Sequence, residues 1–158
     1  SNMMRTAYIP ISWEEAKNKV NTWKSQGETV VFTNGCFDIL HKGHITYLQQ
    51  AAALGEHLII GLNADESVKK LKGEGRPVNS ESDRAFMLNS LRCVDEVVIF
   101  NEETPLELLK CLEPDILVKG GDYSVEDVIG KEYAGEVRIL PFVKGYSTTQ
   151  IINKILGK

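Results

Sequence analysis

Apolar positions along this chain fall into two alternating patterns: compact β-branched runs of five or six residues, and longer stretches in which apolar residues recur every three or four positions. The first long stretch opens on the capping box Ser12-Trp13-Glu14-Glu15. Trp13, Ala16, Val20 and Trp23 follow at helical spacing until Gly27, which predicts a helix over 12–26. Thr29 to Thr33 (TVVFT) is short and β-branched, the mark of a buried strand. Between Gly43 and Leu54 the residues Ile45, Leu48, Ala51 and Ala52 share one helical face, with Gly55 as the stop, and HLIIGL (57–62) is a second buried run.

The alternation continues to the end. A short helix is expected over 65–71, then the irregular segment KGEGRPVN, then a helix from Ser80 to about Leu91 and a strand over 95–100. Thr104-Pro105-Leu106-Glu107 joins an N-cap, a proline at the first helical position and a glutamate placed to reach back. Runs at 115–118 (DILV) and 136–140 (EVRIL) predict the fourth and fifth strands. Ile151, Ile152, Ile155 and Leu156 give the last helix, 148–156, an apolar side. Five short strands separated by helices call for an α/β, Rossmann-like, doubly wound five-stranded parallel sheet with helices on both faces.

Length and composition fit that picture. A chain of 158 residues with 42% apolar content matches a single domain over 1–158. Residues 1–3 read as a cloning remnant. The net charge of −4 disfavours a nucleic-acid surface spread over the domain. Neither a membrane span nor a secretory signal is apparent, and the expectation is a cytoplasmic protein. Cys36, Cys93 and Cys111 form an odd set without CxxC spacing, which suits reduced thiols.

In an open α/β sheet, ligands sit outside the carboxyl ends of the strands, and that rule selects where to look. After the first strand comes TNGCFDILHKGH (33–44), a turn that delivers His41 and His44 to the start of a helix, where free N–H groups favour an anion. With Gly43 letting the backbone approach, two imidazoles there can donate to phosphate oxygens and to charge growing on them. A helix cap plus space-filling, or a zinc site using Cys36, His41 and His44, stays open at this point. KGGDY (119–123) follows the fourth strand: Lys119 suits a phosphate, the paired glycines a planar base and Asp122 a ribose, while an ordinary glycine turn is the bland alternative. GYSTT (145–149) follows the fifth strand and opens a helix with Ser147, Thr148 and Thr149, a phosphate cradle or plain N-capping. Lys69, Lys70 and Lys72 stand beside the KGEG segment as a candidate lid, with a solvated helix face as the alternative. Arg84 carries a fork suited to phosphate or to a surface ion pair. Neither a Walker sequence nor GxGxxG occurs.

GCFDILHKGH resembles the HxGH signature of the cytidylyltransferase-like nucleotidyltransferases, and GYSTTQII resembles their second signature. The strings TNGCFDILHKGH, LKGEGRPVN, LVKGGDY and STTQIINKI are similar to the branch that makes ADP-heptose from D-glycero-D-manno-heptose 1-phosphate, over about Trp13 to Ile155. The resemblance implies that His41 and His44 stabilise the α-phosphate of ATP as a sugar 1-phosphate attacks, and that Lys42 and Lys72 help hold phosphates. It implies that Thr33, Asn34, Gly35, Cys36, Phe37, Asp38, Gly43, Lys119 and Gly120 line the nucleotide site, with Asp122 on the ribose and Ser147, Thr148 and Thr149 on the triphosphate. Lys69, Arg76 and Arg84 join the phosphate-binding set. The implied Mg2+ arrives with the nucleotide, without a metal site on the protein, and the implied assembly is a homodimer. Two departures stand out: Phe142 occupies the place of an arginine in the cytidylyltransferase pattern, and the sugar kinase of bifunctional heptose enzymes is absent from this sequence, so heptose 1-phosphate is expected from another chain. A cytidylyl- or guanylyltransferase, or a non-catalytic nucleotide-binding module, are the competing expectations.

Overall fold

A computed structural model describes residues 10–158; the proposed remnant at 1–3 lies outside them. Helix α1 (Trp13–Ser25) starts on the capping box, with the Ser12 side chain accepting from the Glu15 N–H and Glu15 reaching back. The remaining order is β1 (Val30–Gly35), α2 (Lys42–Ala52), β2 (His57–Asn63), α3 (Asp65–Lys72), α4 (Glu81–Asn89), β3 (Glu96–Phe100), α5 (Leu106–Leu112), β4 (Ile116–Gly120), β5 (Glu136–Leu140) and α6 (Thr148–Ile155). Two short 3-10 turns, Val125–Asp127 and Lys131–Tyr133, join β4 to β5.

All five strands pair in parallel in the order β3-β2-β1-β4-β5. Strand order reverses between β1 and β4, so the topological switch point lies where those two strands end. The period-two alternation of each strand sends its side chains into two separate cores. Val31, Leu58, Ile60, Leu62, Val97 and Val118 pack under Leu48 and Ala51 of α2 and Ala85 and Leu88 of α4. Val30, Phe32, Ile59, Val98 and Leu117 pack under Ala16 and Val20 of α1 and Leu108, Leu109 and Leu112 of α5. Helices therefore cover both faces of the sheet.

Three expectations are amended. Strand β1 continues past Thr33, because Asn34 and Gly35 stay in register with Gly61 and Leu62, and this carries the first motif to the sheet's edge. The capping box expected at Thr104 does not form. Pro105, at φ −81° and ψ 14°, occupies the cap position, α5 begins at Leu106, and Thr104 contributes only a 3.4 Å bond from the Leu106 N–H. Helix α6 forms as expected but buries none of its residues: Ile155 is 76% exposed and Leu156 60%.

Candidate active site

A cleft of about 800 Å³ opens at the carboxyl edge of the sheet, across the ends of β1, β2 and β4. Asn34, Gly35, Cys36, Phe37 and Asp38 line it from the turn after β1, and His41, Gly43 and His44 from the start of α2. Lys72 lines it from the last turn of α3 and Arg76 from the segment that follows, Lys119 and Gly120 from β4, and Ser147, Thr148 and Thr149 from the start of α6. Segments far apart in the chain thus meet where the doubly wound topology predicts a ligand.

The turn after β1 is a strained, closely packed corner. Phe37 sits at φ 45°, a left-handed conformation costing a non-glycine residue on the order of 1 kcal/mol. Its ring is buried and meets the His44 ring edge-on at 5.2 Å. Asp38 is buried, and its two carboxylate oxygens accept from the backbone N–H groups of Val78 at 2.7 Å and Asn79 at 2.8 Å. The Asn79 side chain returns a 2.8 Å bond to the Asp38 carbonyl. Asp38 therefore latches the segment carrying Arg76 against the histidine loop, and both of its oxygens are occupied by that work.

His41 is the N-cap of α2, with its Nδ1 accepting from the His44 N–H at 3.3 Å. An acceptor at Nδ1 leaves the proton on Nε2, so the cap fixes His41 as a neutral donor. The two imidazoles stack at 3.8 Å and 21°. Burial lowers both pKa values; for His44, burial and then the neighbouring His41 hold it at about 4, so both rings are neutral at pH 7. The buried Nδ1 of His44 has no hydrogen-bond partner among the described residues, an arrangement that concentrates at functional sites. Gly43 makes the corner fit, since a Cβ there would stand 2.8 Å from the Tyr146 Cβ and 3.0 Å from the His41 ring.

Helix α6 brings its own amino end to the same cleft. Ser147 caps it by accepting from the Gln150 N–H at 3.0 Å, the Thr148 hydroxyl donates to the Ile39 carbonyl at 3.3 Å, and Arg76 donates to the Thr149 hydroxyl at 3.2 Å. Two helix amino termini and the cations Lys72, Arg76 and Lys119 thus converge on one space, which suits a ligand carrying several negative charges.

Six residues named from the sequence stand elsewhere. Arg84 does not offer its fork to a ligand: its side chain is wholly buried and each of its three nitrogens already donates. The bonds run to the carbonyls of Asn79 (2.9 Å), Cys36 (2.8 Å) and Asn63 (2.8 Å) and to the Asp65 carboxylate (2.8 Å). Thr33 lies beneath the floor, buried, bonded to the Tyr47 hydroxyl at 2.6 Å and the Val118 carbonyl at 3.0 Å. Both are corrected from ligand contacts to scaffold. Lys42, Lys70 and Asp122 are exposed outside the cleft lining, and Lys69 also lies off it, 3.7 Å from Glu74.

Tyr47, Asn63, Glu103, Thr104, Tyr123, Asp127 and Tyr146 line the cleft without having been singled out. Of these, Tyr123 and Tyr146 stand inside KGGDY and GYSTT, and Tyr47 lies three residues after His44 on the same helical face. The zinc arrangement does not form. Imidazole lone pairs lie in the ring planes, so stacked rings aim them side by side instead of at one point, and burial pushes the Cys36 thiol pKa up, away from the thiolate a metal needs. Among the described residues no group of three or more His, Cys, Asp or Glu gathers to hold a metal.

A sheet of this order with paired histidines at the first strand-to-helix turn is the architecture of nucleotidyltransferases. A family model described as cytidylyltransferase-like matches residues 32–154, and the chain belongs to that family, whose members are nucleotidyltransferase enzymes. Its relatives include proteins named bifunctional protein HldE. The one from Campylobacter fetus is 63% identical over 83% of this chain, and that from Wolinella succinogenes 52% identical over 93%. The chain spans 29% and 31% of the length of these two relatives. Among solved structures, the lipopolysaccharide core biosynthesis protein from Thermoplasma volcanium superposes with a TM-score of 0.63 at 27% identity, covering 77% of this chain and all of that one. No described helix is long and apolar enough to cross a membrane.

Proposed function

We propose that this domain transfers AMP from Mg-ATP to a sugar 1-phosphate, D-glycero-D-manno-heptose 1-phosphate in the first instance, releasing pyrophosphate and forming the ADP-sugar. The observation that carries this reading is the pair of neutral imidazoles at the start of α2, one held as an Nε2–H donor by its own cap, in a cleft that also receives the start of α6. The relatives named HldE support the choice of heptose.

The chemistry asks little of the protein beyond position and charge. An oxygen of the sugar phosphate, already an anion at neutral pH, attacks the α-phosphorus of ATP, a new P–O bond forms, and the bond to the β,γ-diphosphate breaks in line with it. Neither a protein nucleophile nor a general base is required. In this reading His41 and His44, both in the cleft lining, donate to the α-phosphate oxygens as charge grows there, while Lys72, Arg76, Lys119 and the hydroxyls of α6 meet the remaining phosphate charge. Mg2+ bound to the nucleotide supplies further charge neutralisation. Phosphate oxygens and water suit it as ligands, since the Asp38 carboxylate is already engaged, leaving Glu103 and Asp127 as the other cleft carboxylates. The same reading takes the working unit as a homodimer, which sedimentation equilibrium tests.

Pyrophosphate release tests the function. ATP, CTP and GTP are each offered with heptose 1-phosphates and with a panel of other phosphorylated sugars and alcohols. Release with ATP and a heptose 1-phosphate is the expected result. ATP binding with no release across the whole panel would overturn the enzyme reading in favour of a nucleotide-binding module, and stronger release with CTP or GTP would reassign the nucleotide.

A further inference from the structure

We propose that Phe142 is the stacking wall of the nucleobase slot and the residue through which the cleft prefers a purine; this rests on the nucleotide reading above. Phe142 follows β5, lines the cleft, and is 74% exposed, so most of its ring is free to meet a ligand. Its inner side is in place already. A Cβ on Gly121 would stand 2.7 Å from its Cε2 and 3.0 Å from its Cζ, and one on Gly120 would stand 3.3 Å from its Cε1. The ring therefore spans both glycines at the end of β4, and only their missing side chains make room for it there. Gly121 is also held at φ 109°, which side-chain-bearing residues rarely adopt.

The polar partners of the cleft assign its ends. His41, His44 and the two helix amino termini take negative charge, and Tyr146 stands beside them, 6.2 Å from His41 and 18° from parallel. What remains of a nucleoside triphosphate once its phosphates are placed is planar, aromatic and largely apolar. Phe142, resting on a bare glycine backbone with most of its surface open, offers the matching surface. A base stacked on an aromatic side chain contributes roughly 1–3 kcal/mol, about 5- to 150-fold in affinity, and the larger face of a purine gains more than that of a pyrimidine. Val68, Leu71, Pro105 and Ile129 also line the cleft with apolar surface. Pro105 directly follows Glu103 and Thr104, a carboxylate and a hydroxyl better suited to a sugar's hydroxyl groups than to a base.

The test is equilibrium binding of Mg-ATP, Mg-CTP and Mg-tripolyphosphate without any acceptor, so that the outcome is independent of which sugar is used. Phe142→Ala is expected to weaken ATP about tenfold and CTP no more than about threefold, leaving tripolyphosphate unchanged. Phe142→Tyr should bind ATP within about twofold of the parent, whereas Phe142→Leu, which keeps apolar bulk without a planar face, should stay weak. ATP binding by Phe142→Ala within about twofold of the parent overturns the proposal, as does an equal loss for all three ligands or a parent preference for CTP. A parent protein that binds ATP no better than tripolyphosphate would instead overturn the nucleotide reading itself, and this proposal with it.

Discussion

His44 is the residue on which the chemistry turns, and its environment makes two measurable predictions. Replacing it with alanine removes one donor to developing charge, so kcat should fall about 10²- to 10³-fold, roughly 3–4 kcal/mol. Single-turnover rates with saturating ATP read this, and unchanged turnover would dismiss the assignment. The second prediction concerns the protein without ligand. Burial holds the folded His44 pKa at about 4 against an ordinary 6.5, so between those values the unfolded chain binds a proton that the native protein does not. Stability is therefore fully present above pH 6.5 and declines as pH falls toward 4. Urea midpoints of the parent and of His44→Gln at pH 7.5, 5.5 and 4.5 should show a smaller acid loss in the variant; parallel curves would rule out His44 as the cause. At this scale residue type was legible and burial was not. The histidines announced themselves because an HxxH pair at a strand-to-helix turn has few other uses, but nothing in the string SESDRAF says that Arg84 points inward.

The elements around the cleft are held by a few polar joints, and Arg84 is the central one. Its guanidinium ties the histidine loop at Cys36, the end of β2 at Asn63, the segment before α4 at Asn79 and the start of α3 at Asp65. Arg84→Met would leave the Asp65 carboxylate without its partner and three carbonyls without donors. A loss of about 3–5 kcal/mol is expected, read from denaturant midpoints. A loss below about 1 kcal/mol would show that the joint is dispensable. Element order, strand count and the caps at Ser12, Ser80 and Ser147 were all legible, because short β-branched runs and side-chain caps act locally. One element-level reading failed, and for a local reason. Thr104 and Glu107 had the right spacing for a capping box, but the backbone at Pro105 starts the helix one residue late. Helix α6 has the apolar side read from its sequence, but the sheet's two faces are already covered by α1, α2, α4 and α5, and Ile155 and Leu156 remain outside.

For the whole molecule, the order β3-β2-β1-β4-β5 places the cleft at the switch point, and the ligand itself becomes part of what holds the edge together. Beside the Arg84 joint, the segments there are joined by Asp38 to Val78 and Asn79, Arg76 to Thr149, and Thr148 to Ile39. A triphosphate reaching Lys72, Arg76 and the start of α6 would bridge them, and anything that binds only the folded state adds to its stability. At a hundred times its dissociation constant, Mg-ATP should raise the unfolding free energy by about 2.7 kcal/mol. For a domain of 158 residues, that corresponds to a rise in Tm of about 5–11 °C. Scanning calorimetry with and without chelator separates the two metal chemistries raised by the histidine pair. If Mg2+ enters with the nucleotide, chelator leaves the Tm of the unliganded protein unchanged and diminishes only the shift caused by ATP. Were a structural zinc held by Cys36 and the histidines, chelator would lower the unliganded Tm outright, and that result would reverse the reading of His41 and His44 as neutral phosphate donors.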